Sequence, residues 1–440
     1  MPYDIIIGRD ESDKKRFGKK GLVFIGKGYV KMGRYTSLSN HIYLDVARSH
    51  VILVAGKRGS GKSYTLGTIA EQLASLPEEE KQNISTLIFD TMGIFWTMKY
   101  KNDKEKELLK TWDLKPEKLP VRIFIPYGYY EDYEKRGIPV DNKFAIKPSE
   151  LGIEDWVLTF NLGMIDPVAV LIEKVINHLK ENEEDFSIKE ITNEIYKEKA
   201  SEETKNAAVS LFEAAQSWKV FAEKGEKGTD IRDLVIAGEP TILDLSPYSS
   251  IGSFNVRALV IGLICKKLFN YRMLARKLEE IQALKHGEDY LSFQQKREMP
   301  LVWLFIDEAH EFIGKETTAA SAALIQLLRE GRQPGISIVM ATQQPGQLHH
   351  DAMTQSDIVI SHRVTAAPDI NALNEIMQTY LLSGINKYLD DLPSLKGSAI
   401  ILDDNSERIY PMRVKPRVTW HGGEAPTSVK VEKRLSRTIP

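Results

Sequence analysis

Gly56-Lys57-Arg58-Gly59-Ser60-Gly61-Lys62-Ser63 follows an apolar run, Val51 to Ala55, and leads into a helix-compatible segment from Tyr64 to Leu76. Strand, glycine-rich loop and helix, with G-x-x-x-x-G-K-[ST] spacing, make a P-loop. The glycines let backbone N–H groups turn inward around phosphate oxygens, and the helix N-terminus adds positive potential. Lys62 reaches the β- and γ-phosphates, and the Ser63 hydroxyl is placed to ligate Mg²⁺. Residues Gly56 to Tyr64 are therefore the candidate cradle for a nucleoside triphosphate. The motif does not say what the energy is used for.

A second motif stands far downstream. Leu301 to Ile306 is an apolar strand ending in Asp307 and Glu308, the pattern of a Walker B strand. Asp307 would hold Mg²⁺ and Glu308 would orient and polarise the attacking water. Asp307-Glu308-Ala309-His310 also spells the DEAH of one helicase superfamily, but the other motifs of that superfamily are not in their expected places. Strand Ser337 to Ala341 ends in Thr342-Gln343-Gln344-Pro345, so Gln343, then Thr342, is the candidate group for hydrogen-bonding the γ-phosphate or water; a turn before Pro345 is the alternative. Arg329-Glu330-Gly331-Arg332-Gln333 closes the preceding helix. Arginines there can satisfy a helix C-terminus or cross a subunit interface, and Arg332 is the first candidate for an arginine finger, with Arg329 and Arg363 as rivals.

Composition narrows the class. The chain has 440 residues, 42% hydrophobic, with formal net charge −2. That predicts a folded core and confines any nucleic-acid surface to a local basic patch. One cysteine, Cys265, cannot form an internal disulfide and fits a reducing compartment. No signal-peptide pattern opens the chain, and the apolar run Ala258 to Cys265 falls far short of the ~20 residues a membrane helix needs. The expectation is a cytoplasmic protein without a membrane segment.

Outward from the P-loop, five regions are expected: a small, truncated barrel-like β module (1–47), a first part of the nucleotide-binding body (48–126), a mostly helical insertion (127–235), a second part of the body (236–414) and an extended polar tail (415–440). In the first, Asp4–Ile7, Leu22–Ile25, Tyr29–Met32 and His41–Val46 read as strands, with Gly26-Lys27-Gly28 as a hairpin turn. Apolar strands alternating with helices through the body predict a parallel sheet with helices on both faces. In the insertion, Asp166-Pro167 and Ser187 to Glu190 read as helix starts. Tyr127-Gly128-Tyr129-Tyr130 beside Lys135-Arg136 reads as a solvated loop ahead of a DNA path, and His349-His350-Asp351 as a polar loop ahead of a metal site. Asp90 is a supporting acid or a structural cap. Lys315, after the Walker B strand, is a guess at a pore residue.

Four segments together resemble the HerA branch of the HerA–FtsK superfamily of DNA-pumping ATPases. They are the P-loop with its helix, Ile306 to Phe312, Arg329 to Gly335, and Ala341 to Pro345; Arg417 to Gly423 is similar to a segment late in HerA proteins. The resemblance implies an α/β fold: a RecA-like P-loop NTPase core with a mainly parallel sheet, a helical insertion and a small N-terminal β module. It implies an ATP- and Mg²⁺-dependent homo-hexamer around double-stranded DNA, with sites at subunit interfaces and a NurA-like nuclease as partner in DNA end processing. Two departures stand out. HerA proteins usually carry a full β-barrel before the P-loop, where only residues 1–47 stand here, and a D-x-x-G-E pattern where Asp90-Thr91-Met92-Gly93 is followed by Ile94. A ring ATPase that moves protein, and an ATP-dependent assembly scaffold, stay open as other readings.

Overall fold

The computed structural model describes residues 3–32, 35–249, 254–286, 297, 299–377, 385–424 and 428. Val51–Ala55 (β4) is apolar at every position, so it has no face to offer to water. Val51, Leu53 and Ala55 enter one core, shared with the helical insertion; Ile52 and Val54 enter a second, shared with the P-loop helix. A strand buried on both faces belongs in the middle of a parallel sheet.

The other strands are β1 (Ile5–Ile7), β2 (Leu22–Met32), β3 (Tyr35–Asp45), β5 (Ile84–Asp90), β6 (Arg122–Pro126), β7 (Asn142–Phe144), β8 (Pro240–Asp244), β9 (Leu301–Ile306), β10 (Ile336–Thr342), β11 (Ile358–His362), β12 (Ser398–Asp403) and β13 (Arg408–Val414). They form one sheet in the order β1-β3-β2-β13-β12-β11-β4-β10-β9-β5-β8-β6-β7. From β11 to β7 every neighbouring pair is parallel, and β12, β13 and β2 continue the sheet antiparallel. The P-loop strand and the acidic strand are thus separated only by β10, whose tip carries Thr342 and Gln343. The expected α/β core with a mainly parallel sheet is what forms.

Two expectations about the chain ends change. Gly26-Lys27-Gly28 is not a turn: β2 runs through it, irregular in register at Phe24/Gly26 and Lys27/Tyr29. Gly26 pairs with Val414 of β13, and a Cβ there would collide with the Arg413 carbonyl. The glycine permits a close approach rather than a reversal. The expected β module therefore extends the central sheet along β13. A short helix, Glu11–Phe17, capped by Asp10, was not foreseen.

The described part of the tail, Lys415 to Glu424, runs extended along the P-loop helix, Lys62–Ala74. The Arg417 guanidinium is fully buried there, its Nε donating to Glu71 Oε1 at 2.9 Å. The Val418 N–H donates to the other Glu71 oxygen at 2.9 Å. The insertion contains the expected helices Pro167–Asn182, Ile188–Lys197 and Glu202–Ser217, with Ser187 and Glu190 closing a capping box. No helix among the described residues is long and apolar enough to cross a membrane.

Candidate nucleotide site

The sheet delivers its polar tips to one edge. At the end of β4 the P-loop turns through Gly56, Gly59 and Gly61, with φ of 159°, 74° and 115°. The last two lie where a side chain is strained. At Gly56 a Cβ would come 2.5 Å from Ser60 Oγ and 2.8 Å from the His362 Cβ. The loop is thus closed against itself and against β11. Lys57 donates its N–H to the Arg363 carbonyl at 3.1 Å, and Lys62 Nζ reaches back to the Lys57 carbonyl at 3.4 Å. Arg58 is exposed. Lys62 is nearly buried, and burial pushes its ammonium down from the usual lysine value, while Glu308 and Asp307 pull it up. An anion in the loop would add to the counter-charge that Glu308 and Asp307 give this buried lysine.

Ser63 Oγ donates to Asp307 Oδ2 at 2.6 Å. The two residues are far apart in sequence, and this contact is the strongest geometric link between the P-loop and the acidic strand. Burial pushes the Asp307 carboxyl up, the Ser63 hydrogen bond pulls it down, and neighbouring Glu308 raises it. Hydroxyl and carboxylate oxygens suit Mg²⁺, and a cation here would relieve the carboxylate's burial. The residues fit a nucleotide–Mg²⁺ complex on three further observations: the glycine cradle, the buried Ser60 Oγ without a hydrogen-bond partner, and the buried Glu308 Oε2, also without one.

Glu308 adopts φ 51°, ψ 46°, which turns its side chain out of the strand direction. Gln343 Nε2 donates to its Oε1 in a short contact. Thr342, the second candidate, uses its Oγ1 to accept from the Gln344 N–H and lies 3.2 Å from His310 Nδ1, which in turn stands 3.6 Å from Glu308 Oε2. The structure therefore brings together Lys62, Ser63, Asp307, Glu308 and Gln343. It places Arg332 elsewhere, at the opposite edge of the sheet, where it donates to Asp357 Oδ2 at 2.9 Å and to the Ser49 carbonyl at 3.4 Å. Arg329 pairs with Asp351 at 2.6 Å. Lys315 is exposed in a loop held by its N–H to the Gln347 carbonyl.

Asp90 acts as a cap, its carboxylate accepting the N–H groups of Met92, Gly93, Ile94 and Phe95. Its neighbour across the sheet is Asp244, at the end of β8. Burial, then the Asp244 charge, push Asp90 well above the usual carboxylate range. Tyr129 packs edge-to-face on Tyr248, and Gly128 lies against Lys219, so the tyrosine-rich stretch is partly built into the body. His349 caps a short helix, accepting from the Asp351 N–H.

Two partners of the P-loop went unread in the sequence. His362, at the end of β11, is fully buried; its Nδ1 lies 3.0 Å from the Ser398 carbonyl and its Nε2 2.8 Å from Thr65 Oγ1. Donation from Nδ1 to the carbonyl leaves Nε2 to accept from Thr65, and burial pushes the ring down to about 4, so it is a neutral prop under Gly61. Glu71, in the P-loop helix, is the fully buried anchor of the tail. A polar strand end next to the P-loop strand is the sole signal that marked His362; nothing marked Glu71.

A P-loop on a buried parallel strand, an acidic strand one position removed and a polar tip between them define a RecA-like P-loop NTPase. The family model described as helicase HerA, central domain, matches residues 30–268, more than half of the chain, and the chain belongs to that family, within the HerA–FtsK superfamily. A model described as zonular occludens toxin (Zot) matches residues 253–382. The chain is 25% identical over 219 residues to the DNA double-strand break repair helicase HerA of Pyrococcus furiosus, a match over 44% of this chain and 38% of that protein. It is 22% identical over 383 residues to a probable DNA double-strand break repair helicase HerA of Methanocaldococcus jannaschii, over 79% of this chain and 69% of that one. Among solved structures, VirB4 of Thermoanaerobacter pseudethanolicus aligns with TM-score 0.56 at 12% identity, over 91% of this chain and 97% of that one. The bacterial conjugative coupling protein TrwB aligns with TM-score 0.51 at 12% identity, over 86% and 87%. Both likenesses concern the fold.

Proposed function

We propose that this protein is an ATP-hydrolysing, ring-forming motor that translocates on double-stranded DNA. The observation that carries the hydrolytic part is the Ser63–Asp307 contact with Glu308 and Gln343 alongside. Lys62 binds the β- and γ-phosphates, Ser63 and Asp307 would hold Mg²⁺, Glu308 takes the proton of an attacking water, and Gln343 fixes the glutamate's position. Mg²⁺, when bound, would neutralise charge on the phosphate oxygens. Arg332 completes a neighbouring subunit's site in a homo-hexamer. The DNA part rests on membership of the HerA family and on the two curated relatives, whose names place them in DNA double-strand break repair. A NurA-like nuclease is the partner proposed for end processing.

The test is the steady-state ATPase rate with and without linear duplex DNA, at low and moderate salt, with Lys62→Ala as control. DNA contacts made mainly to phosphates fade steeply with salt. Stimulation that fades with salt and vanishes in Lys62→Ala is expected. A robust rate indifferent to DNA, alone and with a nuclease partner present, would overturn the DNA assignment in favour of a moved protein.

A further inference from the structure

The tail segment that crosses the P-loop helix has two parts of different chemistry. Lys415 to Thr419 is a brace. Besides the Arg417–Glu71 pair, the Arg417 N–H donates to Tyr64 Oη at 2.7 Å, Arg417 Nη2 donates to Thr419 Oγ1 at 2.8 Å, and the Val418 carbonyl accepts from the Asn102 N–H at 3.0 Å. Gly67 leaves room for the guanidinium, since a Cβ there would lie 2.6 Å from it. The Arg417 side chain and the Val418 and Thr419 N–H groups are all used in holding the tail down.

His421-Gly422-Gly423 does something else. The His421 ring meets the Tyr64 ring edge-to-face at 5.2 Å, one residue beyond Ser63. Arg417 Nη1 lies 3.2 Å from His421 Nδ1 and, being a donor only, makes that nitrogen the acceptor. Burial, then Arg417 and Lys104, push the ring down to about 3, so it is neutral and its one proton sits on Nε2. That nitrogen faces Gly423, where a Cβ would come 2.8 Å from Cε1 and Nε2. Gly422 and Gly423 are exposed, so any larger residue at 423 would cover the Nε2–H.

The direction of a bound triphosphate follows from the site. Asp307, Glu308 and Gln343 mark the γ-phosphate end. Lys62 serves the β- and γ-phosphates, and the loop backbone serves the α- and β-phosphates. The nucleoside therefore continues past the helix N-terminus at Tyr64, whose ring His421 touches, with Gly422 and Gly423 beside it against Ile94 and Thr97. We infer that His421-Gly422-Gly423 forms the base-side wall of the nucleotide site, with His421 Nε2–H donating to an acceptor on the base of a nucleoside triphosphate and Gly423 kept small to leave that donor accessible. The inference rests on the nucleotide reading above and adds a residue set on the far side of the phosphates.

The experiment compares two ligands of the full-length protein by calorimetry: Mg–ATP, and Mg–tripolyphosphate, which has the phosphates but no base. His421→Phe keeps a ring against Tyr64 and removes the donor; Gly423→Val covers it by an independent route. Both variants should bind ATP about tenfold more weakly, the effect of one lost hydrogen bond, and bind tripolyphosphate as the wild type does. Tripolyphosphate binding also reports that each variant is folded at the P-loop. Equal weakening of both ligands, or unchanged ATP binding in both variants, would overturn the base-wall assignment and leave the nucleotide reading standing. A wild-type protein that binds neither ligand would overturn both.

Discussion

Glu308 carries a backbone cost that no packing need explains. A non-glycine residue in the left-handed region loses roughly 1–2 kcal/mol, and its buried Oε2 has no hydrogen-bond partner. Strain at one residue, with a carboxylate oxygen that makes no hydrogen bond and lies 3.6 Å from His310 Nδ1, beside the Ser63–Asp307 contact, fits a group set to meet a water and not a strand cap. Glu308→Gln keeps shape and the Gln343 neighbour but cannot take a proton. Its turnover should fall by about 10²–10⁴, the usual share of a general base, with Mg–ATP affinity retained; near-normal turnover in a rapid-quench assay would remove Glu308 from that role.

His50 makes a second claim at the same scale, about stability. It is fully buried, with Nδ1 2.7 Å from Asp357 Oδ2 and Nε2 3.5 Å from Asp45 Oδ2. Burial alone would lower it, but the hydrogen bonds and charges of Asp357 and Asp45 outweigh burial and raise it to about 9. Arg9 and Arg332 flank the two aspartates, and Asp403 lies within electrostatic reach. A folded value above the ordinary 6.5 stabilises fully below about pH 6.5 and is lost as pH rises through about 9. The melting-temperature gap between wild type and His50→Gln should therefore narrow steadily from pH 6.5 to 9.5. A gap that is constant or widens over that range contradicts a charged His50.

Among the elements, the tail brace is the one whose removal should be felt furthest from the phosphates. Arg417 and Glu71 are both fully buried, so deleting one partner strands the other's charge. Arg417→Ala should destabilise by about 3–5 kcal/mol in urea unfolding, and Arg417→Met with Glu71→Leu should recover most of that loss. A single-variant cost below about 1 kcal/mol would mean the brace is not closed in solution. The same element shows where sequence reading ends. Strands β5, β9, β10 and β11 were legible because each is an apolar run closed by a polar tip, and β4 because its apolar run opens into the glycine loop; local pattern carries that information. Lys62, Ser63, Asp307, Glu308 and Gln343 were legible because their spacing is chemistry. Arg417 was not: a charge in a polar tail reads as solvated until the fold lays it on Glu71. Gly26 misled for a related reason, since a glycine in a strand signals a turn and a close approach alike, and its partner β13 lies at the other end of the chain. His362 reaches Thr65 only because β11 is the neighbour of β4, which periodicity does not encode.

For the whole molecule, the position of Arg332 separates an intramolecular role from an intersubunit one. Its Nε reaches the Ser49 carbonyl, ahead of β4, whereas the P-loop follows β4; five residues of strand at ~3.3 Å each put about 16 Å between them. Arg332 therefore cannot serve its own P-loop. Arg363 stands in the opposite position, its carbonyl holding the Lys57 N–H, so it belongs to the P-loop of its own subunit. A ring that sets one subunit's N-terminal sheet edge against the next subunit's nucleotide would use Arg332, freed from Asp357, on the neighbour's γ-phosphate. Complementation tests this directly. Rings made only of Arg332→Ala, or only of Lys62→Ala, should be inactive. In an equal mixture, about a quarter of the interfaces in a cyclic ring unite an intact P-loop with an intact arginine, so about a quarter of wild-type turnover should return. Activity that stays absent in mixed rings of verified stoichiometry would end the case for Arg332 in trans. Activity already near wild type in pure Arg332→Ala rings would end its case as a finger altogether and pass it to Arg329, whose Asp351 partner also leaves it half exposed on the surface.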